Sequence, residues 1–134
     1  MGAAGKDRSR MTIGDFARTC GVSQRTVHYY ERLGLISPAT REGTGYRYYD
    51  EASVRRLEKI AALKRVGLSL DEIASVIDLY FEDASGIRGK QQVLKILKTH
   101  LAETEAKLSE LRQFRKETAD NIARIEALLA EAKR

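Results

Sequence analysis

The sequence predicts a mainly α-helical chain in two parts, a domain of short helices carrying a small β-hairpin and then one long helix that pairs with another. Three observations predict it. Four helix starts of one design recur between Thr12 and Ser69. A strand-prone aromatic run, Tyr46-Arg47-Tyr48-Tyr49, follows a glycine-containing turn between the second and third of them. From Lys90 to Arg134 there is no proline or glycine, and apolar residues recur every seven positions.

Each helix start pairs a capping side chain with a hydrophobic staple. Thr12 caps the first helix, with Asp15 three residues on and Met11 stapled to Phe16. Ser23 caps the second, with Val22 against Val27, and Asp50 the third, with Tyr49 against Val54. Ser69 caps the fourth, where Glu72 completes a capping box and Leu68 faces Ile73. Only Cys20-Gly21-Val22-Ser23 separates the first two helices, the spacing of a helix-turn-helix. Gly21 has the conformational freedom to end the first helix in the left-handed region.

In the second helix Val27, Tyr30 and Leu33 form one stripe and are expected in the core. Gln24, Arg25, His28, Tyr29 and Arg32 form the opposite stripe, polar, cationic and aromatic, suited to base edges and phosphates in a DNA major groove. Residues 37–50 read as a wing with its hairpin turn at Glu42-Gly43-Thr44-Gly45. On its second strand Tyr46 and Tyr48 share one face, and Arg47 and Tyr49 the other. One of these faces packs on the helices and the other meets a phosphate backbone; a core place suits Tyr48 and Tyr49 better than Arg47, and a backbone contact from Arg47 carries no base preference. The third helix has a core stripe of Val54, Leu57, Ile60 and Leu63 and ends in Lys64 and Arg65. These two cations are suited either to phosphates or to the helix dipole.

The long segment places Leu94, Leu101, Leu108, Arg115, Ile122 and Leu129 in one seven-residue register. Leu97, Thr104, Leu111, Thr118, Ile125 and Ala132 fill its companion. Fully helical, it spans on the order of 65 Å, more than one small domain covers. A homodimer is expected, held by Leu94, Leu97, Leu101, Leu108, Leu111, Ile122, Ile125 and Leu129. Register alone leaves parallel and antiparallel pairing both open. The expected division is an N-terminal arm at 1–11, a domain at 12–81, a linker at 82–89 and the coiled coil at 90–134. The glycines of that linker also make it a candidate hinge.

Composition narrows the function classes. The net charge of +5 is uneven, with 13 Lys/Arg against 7 Asp/Glu in residues 1–70 and 11 against 12 beyond. That asymmetry points the first part at a polyanion. No apolar run is long enough to span a bilayer, and the first ten residues lack the apolar stretch of a secretory signal, so a cytoplasmic setting is expected. One cysteine excludes an intrachain disulfide; Cys20 and His100 read as packed and helix-surface residues. No metal and no cofactor is expected. Neither is an enzyme, since the carboxylates fall at caps and coiled-coil flanks and no glycine-rich phosphate loop is present.

Thr12-Ile13-Gly14-Asp15-Phe16-Ala17, Gly21-Val22-Ser23, Thr26 through Ile36, Gly45 through Tyr49, Val66 through Leu70 and Asp71-Glu72-Ile73 together resemble the MerR family of bacterial regulators. The resemblance runs through residues 12–80 and is architectural beyond 90. It implies a winged helix-turn-helix DNA-binding domain, a second helix pair and a long dimerisation helix paired antiparallel. It further implies binding to a pseudo-palindromic promoter operator, which is bent and untwisted so that RNA polymerase engages both promoter elements. Carried over by position, Gln24, Arg25, His28 and Tyr29 face the groove, Tyr46 and Arg47 contact phosphates, and Lys64 and Arg65 flank a second wing. His28 departs from the arginine usual in the family. The cysteines that follow the long helix in metal-sensing relatives have no counterpart here. A small-molecule effector would have to bind between protomers, or between the long helix and the second helix pair. The competing class is an architectural or recombination accessory protein that bends DNA.

Overall fold

A computed structural model describes residues 10–38, 40–42 and 46–133, with the backbone alone described at 40–42 and 46. Its elements run α1 (Ile13–Cys20), α2 (Gln24–Arg32), β1 (Thr40–Glu42), β2 (Tyr46–Tyr48), α3 (Glu51–Arg65), α4 (Leu70–Val76), a 3-10 turn (Ile77–Phe81) and α5 (Ile87–Ala132). The strands pair antiparallel, Arg41 opposite Arg47. The expected hairpin turn at residues 43–45 lies outside the described residues.

The four helix starts form through the side chains expected. Thr12 Oγ1 accepts from the Asp15 amide at 3.2 Å, and Ser23 Oγ from the Thr26 amide at 3.0 Å. Asp50 and Ser53 make a reciprocal capping box, as do Ser69 and Glu72. Each cap satisfies amides that the first helical turn leaves orphaned, worth about 1 kcal/mol apiece. Gly21 ends α1 at φ 71°, its amide reaching the carbonyls of Ala17 and Arg18.

The core lies where α1, α2 and α3 meet. Phe16, Val27, Leu35, Tyr49, Ile60 and Ile73 are fully buried, and Phe16 stacks on Tyr49 with ring centroids 4.4 Å apart. Met11, expected in the N-terminal arm, belongs to this core instead. It is buried and exchanges two backbone hydrogen bonds with Tyr49, at 2.6 and 2.8 Å, which fasten the wing to the start of α1. Leu33, expected in the core, is 41% exposed because α2 ends there, and Leu35 and Ile36 take its place inside. Arg56 secures this segment. Its Nε donates to the Leu35 carbonyl at 2.6 Å, and its Nη2 lies 2.8 Å from Asp78.

The chain divides into two compact units, Met1–Val93 and Leu94–Arg134. The stretch expected to be a linker at 82–89 is structured. Asp83 Oδ1 accepts from the Ser85 hydroxyl at 2.6 Å, and from the amides of Gly86 and Ser85 at 3.0 and 2.9 Å, which holds its carboxyl below the usual range. Helix α5 therefore starts at Ile87, three residues before the expected boundary. Its first turns carry two buried residues, Gly89 and Val93. The Tyr80 ring lies against Gly89 so closely that a Cβ there would stand 2.5 Å from it, and Lys59 Nζ covers the ring at 4.6 Å from its centroid. A glycine inside a helix is otherwise unfavourable, so this contact accounts for its presence.

The second unit is helix throughout, to Ala132. Leu94, Leu101, Leu108, Leu111, Ile122, Ile125 and Leu129 are each about half exposed or more within one chain, while Leu97 is partly covered. Phe114 and Leu128 are as exposed, although neither falls in the two heptad registers. They widen the apolar face on one flank, and Phe114 supplies apolar surface beside Arg115. Among the described residues no helix is long and apolar enough to cross a membrane.

Gly89→Ala should lower the thermal midpoint, with a cost of about 1 kcal/mol or more, even though alanine is the better helix former by a similar amount. A raised midpoint would show that the Tyr80 ring yields without penalty.

Candidate nucleic-acid interface

Helix α2 presents its two stripes in opposite environments. Val27 and Tyr30 are buried, whereas Gln24, Arg25, His28, Tyr29 and Arg32 are all exposed. Burial of one stripe fixes the helix's rotation, so the other stripe has no freedom to turn away from solvent. The Arg32 guanidinium stands 5.6 Å from the Tyr29 ring centroid, a cation–π contact that limits the motion of both side chains.

Behind this face lies Glu31, whose side chain is 11% exposed. Its two oxygens are separately engaged. Oε1 accepts from Arg47 Nη1 at 2.6 Å, and Oε2 accepts from the Tyr49 hydroxyl, also at 2.6 Å. A nearly buried carboxylate is tolerable only when so neutralised. Burial first, and then the adjoining Glu31, pushes the Tyr49 hydroxyl well above the usual tyrosine range. Arg47 and Tyr49 do share a face, as strand alternation requires, and it is the face that packs on the helices. Arg47 is therefore not a free wing cation. Its guanidinium is tied to α2, its side chain is 36% exposed, and Nη1 comes within 3.5 Å of His28 Nδ1.

His28, Arg32 and Arg47 line one cleft of about 400 Å³, together with Glu31, Ile36, Ser37 and Pro38. Three nitrogen-bearing side chains thus converge where α2 meets the wing. The side chain of Tyr46 lies outside the described residues. Tyr48, on the opposite face of the strand, is covered by Arg10 at 4.1 Å from its ring centroid. Lys64 and Arg65 are exposed at the end of α3 and line a different groove with Cys20, Val22, Tyr30 and Leu57. Lys64 Nζ donates to the Tyr30 hydroxyl at 3.3 Å, which ties the end of α3 to the buried side of α2.

Sequence reasoning missed Glu31 and Arg10. The signal for Glu31 was a lone acid in a helix otherwise cationic or neutral. Arg10 carried no such signal, since the residues before Met11 have no pattern. Among the described residues no group of three His, Cys, Asp or Glu is gathered as metal ligands.

Comparison with known proteins decides the family. The model for MerR HTH family regulatory proteins matches residues 11–79, and a second, for MerR DNA binding, matches residues 54–120. The chain belongs to the MerR family. Over 111 residues it is 37% identical to the mercuric resistance operon regulatory protein of Serratia marcescens, covering 79% of this chain and 77% of that one. It is 34% identical over 108 residues to the nodulation protein NolA of Bradyrhizobium sp. (strain NC92), covering 81% of this chain but only 41% of NolA, so it spans less than half of that relative's length. Among solved structures, the transcription regulator PbrR691 of Ralstonia metallidurans CH34, in complex with lead(II), shares the fold at a TM-score of 0.65 with 32% identity, covering 82% of this chain and 83% of that one. In this MerR-family chain the winged helix-turn-helix is the unit in which α2, the wing and Glu31 meet.

Tyr49→Phe should cost about 1–2 kcal/mol in urea denaturation, because it withdraws a donor from a carboxylate that water scarcely reaches. The pH dependence has a definite sign. The folded state raises the Tyr49 pKa, so this stabilisation is whole below the ordinary tyrosine value near 10 and is lost as pH climbs above it. The Phe variant should show a shallower alkaline loss of stability than the parent; parallel curves would contradict the assignment.

Proposed function

We propose that this chain is a sequence-specific DNA-binding transcription regulator, not an enzyme. It acts in the cytoplasm as a homodimer on a pseudo-palindromic promoter operator and distorts that DNA to control RNA polymerase. One observation carries the reading: α2 is locked by its buried stripe so that Gln24, Arg25, His28, Tyr29 and Arg32 stand exposed together, with the Arg47 guanidinium of the wing beside His28. Such a face supplies both kinds of contact that duplex recognition needs, side chains for base edges and cations for phosphates. Membership of a family of HTH regulatory proteins supports the same reading.

Gln24, Arg25, His28 and Tyr29 read the major groove, with Arg25 the strongest candidate for a bidentate contact to guanine. Arg32, Lys64, Arg65 and Tyr46 meet phosphates. Arg47 joins them with the N–H groups that Glu31 leaves over, since a guanidinium carries five. The DNA-binding domain begins at Met11 and includes the first turns of α5, and the remaining helix is the dimerisation element. A second protomer supplies the cover that the leucines and isoleucines of α5 lack, and two reading heads then engage half-sites roughly 34–36 Å, or whole turns, apart. A regulatory small molecule, where one acts, binds between protomers or beside α4.

Arg25→Ala should weaken operator binding and relax base preference at one position. Lys64→Ala should weaken binding to all sequences alike and reduce the salt slope by about one. Both are read by fluorescence polarisation over a salt series, and affinities equal to the parent for both variants would refute the assigned faces. Truncation after Val93, which spares the buried start of α5, should give a monomer by analytical ultracentrifugation with sharply reduced operator affinity. A truncated chain that binds as tightly would refute the dimer.

A further inference from the structure

We infer that Arg47 and Glu31 act on base recognition through His28, by setting which ring nitrogen of His28 carries the proton and so making it a donor to an acceptor-bearing base, guanine in the first place. The inference rests on the reading of α2 as the groove-facing helix. Its own content is the chemistry of one contact.

Three groups meet at the cleft between α2 and the wing. Arg47 Nη1 lies 2.6 Å from Glu31 Oε1 and 3.5 Å from His28 Nδ1. Glu31 Oε1 is 3.7 Å from the same His28 nitrogen, beyond hydrogen-bond reach. A guanidinium only donates; it has no lone pair with which to accept. The histidine atom that meets it must therefore be the acceptor. With Nδ1 bare, the proton of the neutral ring resides on Nε2. The alternative form would set Nδ1–H against Nη1–H, two donors face to face, with the nearest acceptor, Glu31 Oε1, 3.7 Å away.

The His28 side chain is 48% exposed, on the stripe with Gln24, Arg25 and Tyr29. An Nε2–H there reads acceptors. Guanine offers two in the major groove, N7 and O6, while the cytosine edge offers an amino donor and is rejected. Arg47 thus has a second role beside any phosphate it meets. It is a positioning residue for a base contact it does not itself make, contrary to the expectation that a wing cation carries no base preference. Glu31 holds Arg47 in place and stands ready as an acceptor should Arg47 be removed.

The test begins with the full chain, free of DNA. Long-range 15N–1H correlation in mildly alkaline buffer reports the tautomer of each histidine, and a His28→Ala spectrum separates His28 from His100. The expected result is a bare Nδ1 and a protonated Nε2 for His28. Removal of Arg47 should reverse this, because Glu31 Oε1, then free of the guanidinium, closes from 3.7 Å on Nδ1 by a small side-chain shift and accepts its proton. Binding-site selection supplies the second arm. Wild type should favour guanine over cytosine at one position of each half-site by roughly five-fold. His28→Ala should lose preference at that position alone. Arg47→Ala should shift it toward adenine or cytosine, whose amino groups donate, and Arg47→Lys, which keeps a donor at Nδ1, should retain guanine.

A protonated Nδ1 in the wild type overturns the inference, and so does an Arg47→Ala chain, folded by circular dichroism, with unchanged tautomer and unchanged base preference. Failure of the wild type to select any duplex would instead count against the DNA-binding reading. The spectrum still decides the proton's position in that case.

Discussion

One carboxylate organises the side of this domain where α2 meets the wing. Glu31 belongs to the buried flank of α2, and a charge there is tolerated only while both oxygens are engaged. Its partners come from the wing, Arg47 from β2 and Tyr49 just after it. Tyr49 also stacks on Phe16 of α1 and exchanges backbone hydrogen bonds with Met11. Tyr49 thus joins three segments distant in sequence, its hydroxyl to Glu31 of α2, its ring to Phe16 of α1 and its backbone to Met11. The wing cannot shift against α2 without stranding a buried charge, so the exposed groups on either side keep a fixed spacing. A rigid backing for a polar face is what a recognition surface requires.

Much of this architecture was legible in the sequence because the signals are local. A cap speaks to an amide three residues away, so Thr12, Ser23, Asp50 and Ser69 announce their helices without knowledge of the fold. Strand alternation likewise placed Arg47 and Tyr49 on one face. It left open which face packs inward, because that choice depends on Glu31, 16 and 18 residues away. Leu33 misled for a related reason. Periodicity extends a stripe indefinitely, whereas α2 ends at Arg32 and the chain turns before Leu35 and Ile36 enter the core.

The start of α5 was misjudged in the same way. Glycines at 86 and 89 read as a linker, yet Gly89 is present because the Tyr80 ring needs the space a side chain would fill. Along the rest of α5 heptad counting found most of the apolar face. It missed Phe114 and Leu128, which widen that face without falling in either register. Such breadth exceeds what a strict two-position seam presents. Each half-exposed leucine or isoleucine gains on the order of 1 kcal/mol when covered, so a partner helix has ample driving force even after the cost of association. The proposed reading and pairing therefore draw on different residues, the first on a polar face backed by Glu31 and the second on an apolar face that one chain leaves open.

Hydroxyl-radical footprinting of the intact protein on a selected duplex tests the paired reading head most directly. Two equivalent protected patches are expected, related by two-fold symmetry and a whole number of helical turns apart. A single patch, or protection spread evenly along any DNA supplied, would contradict the paired reading head.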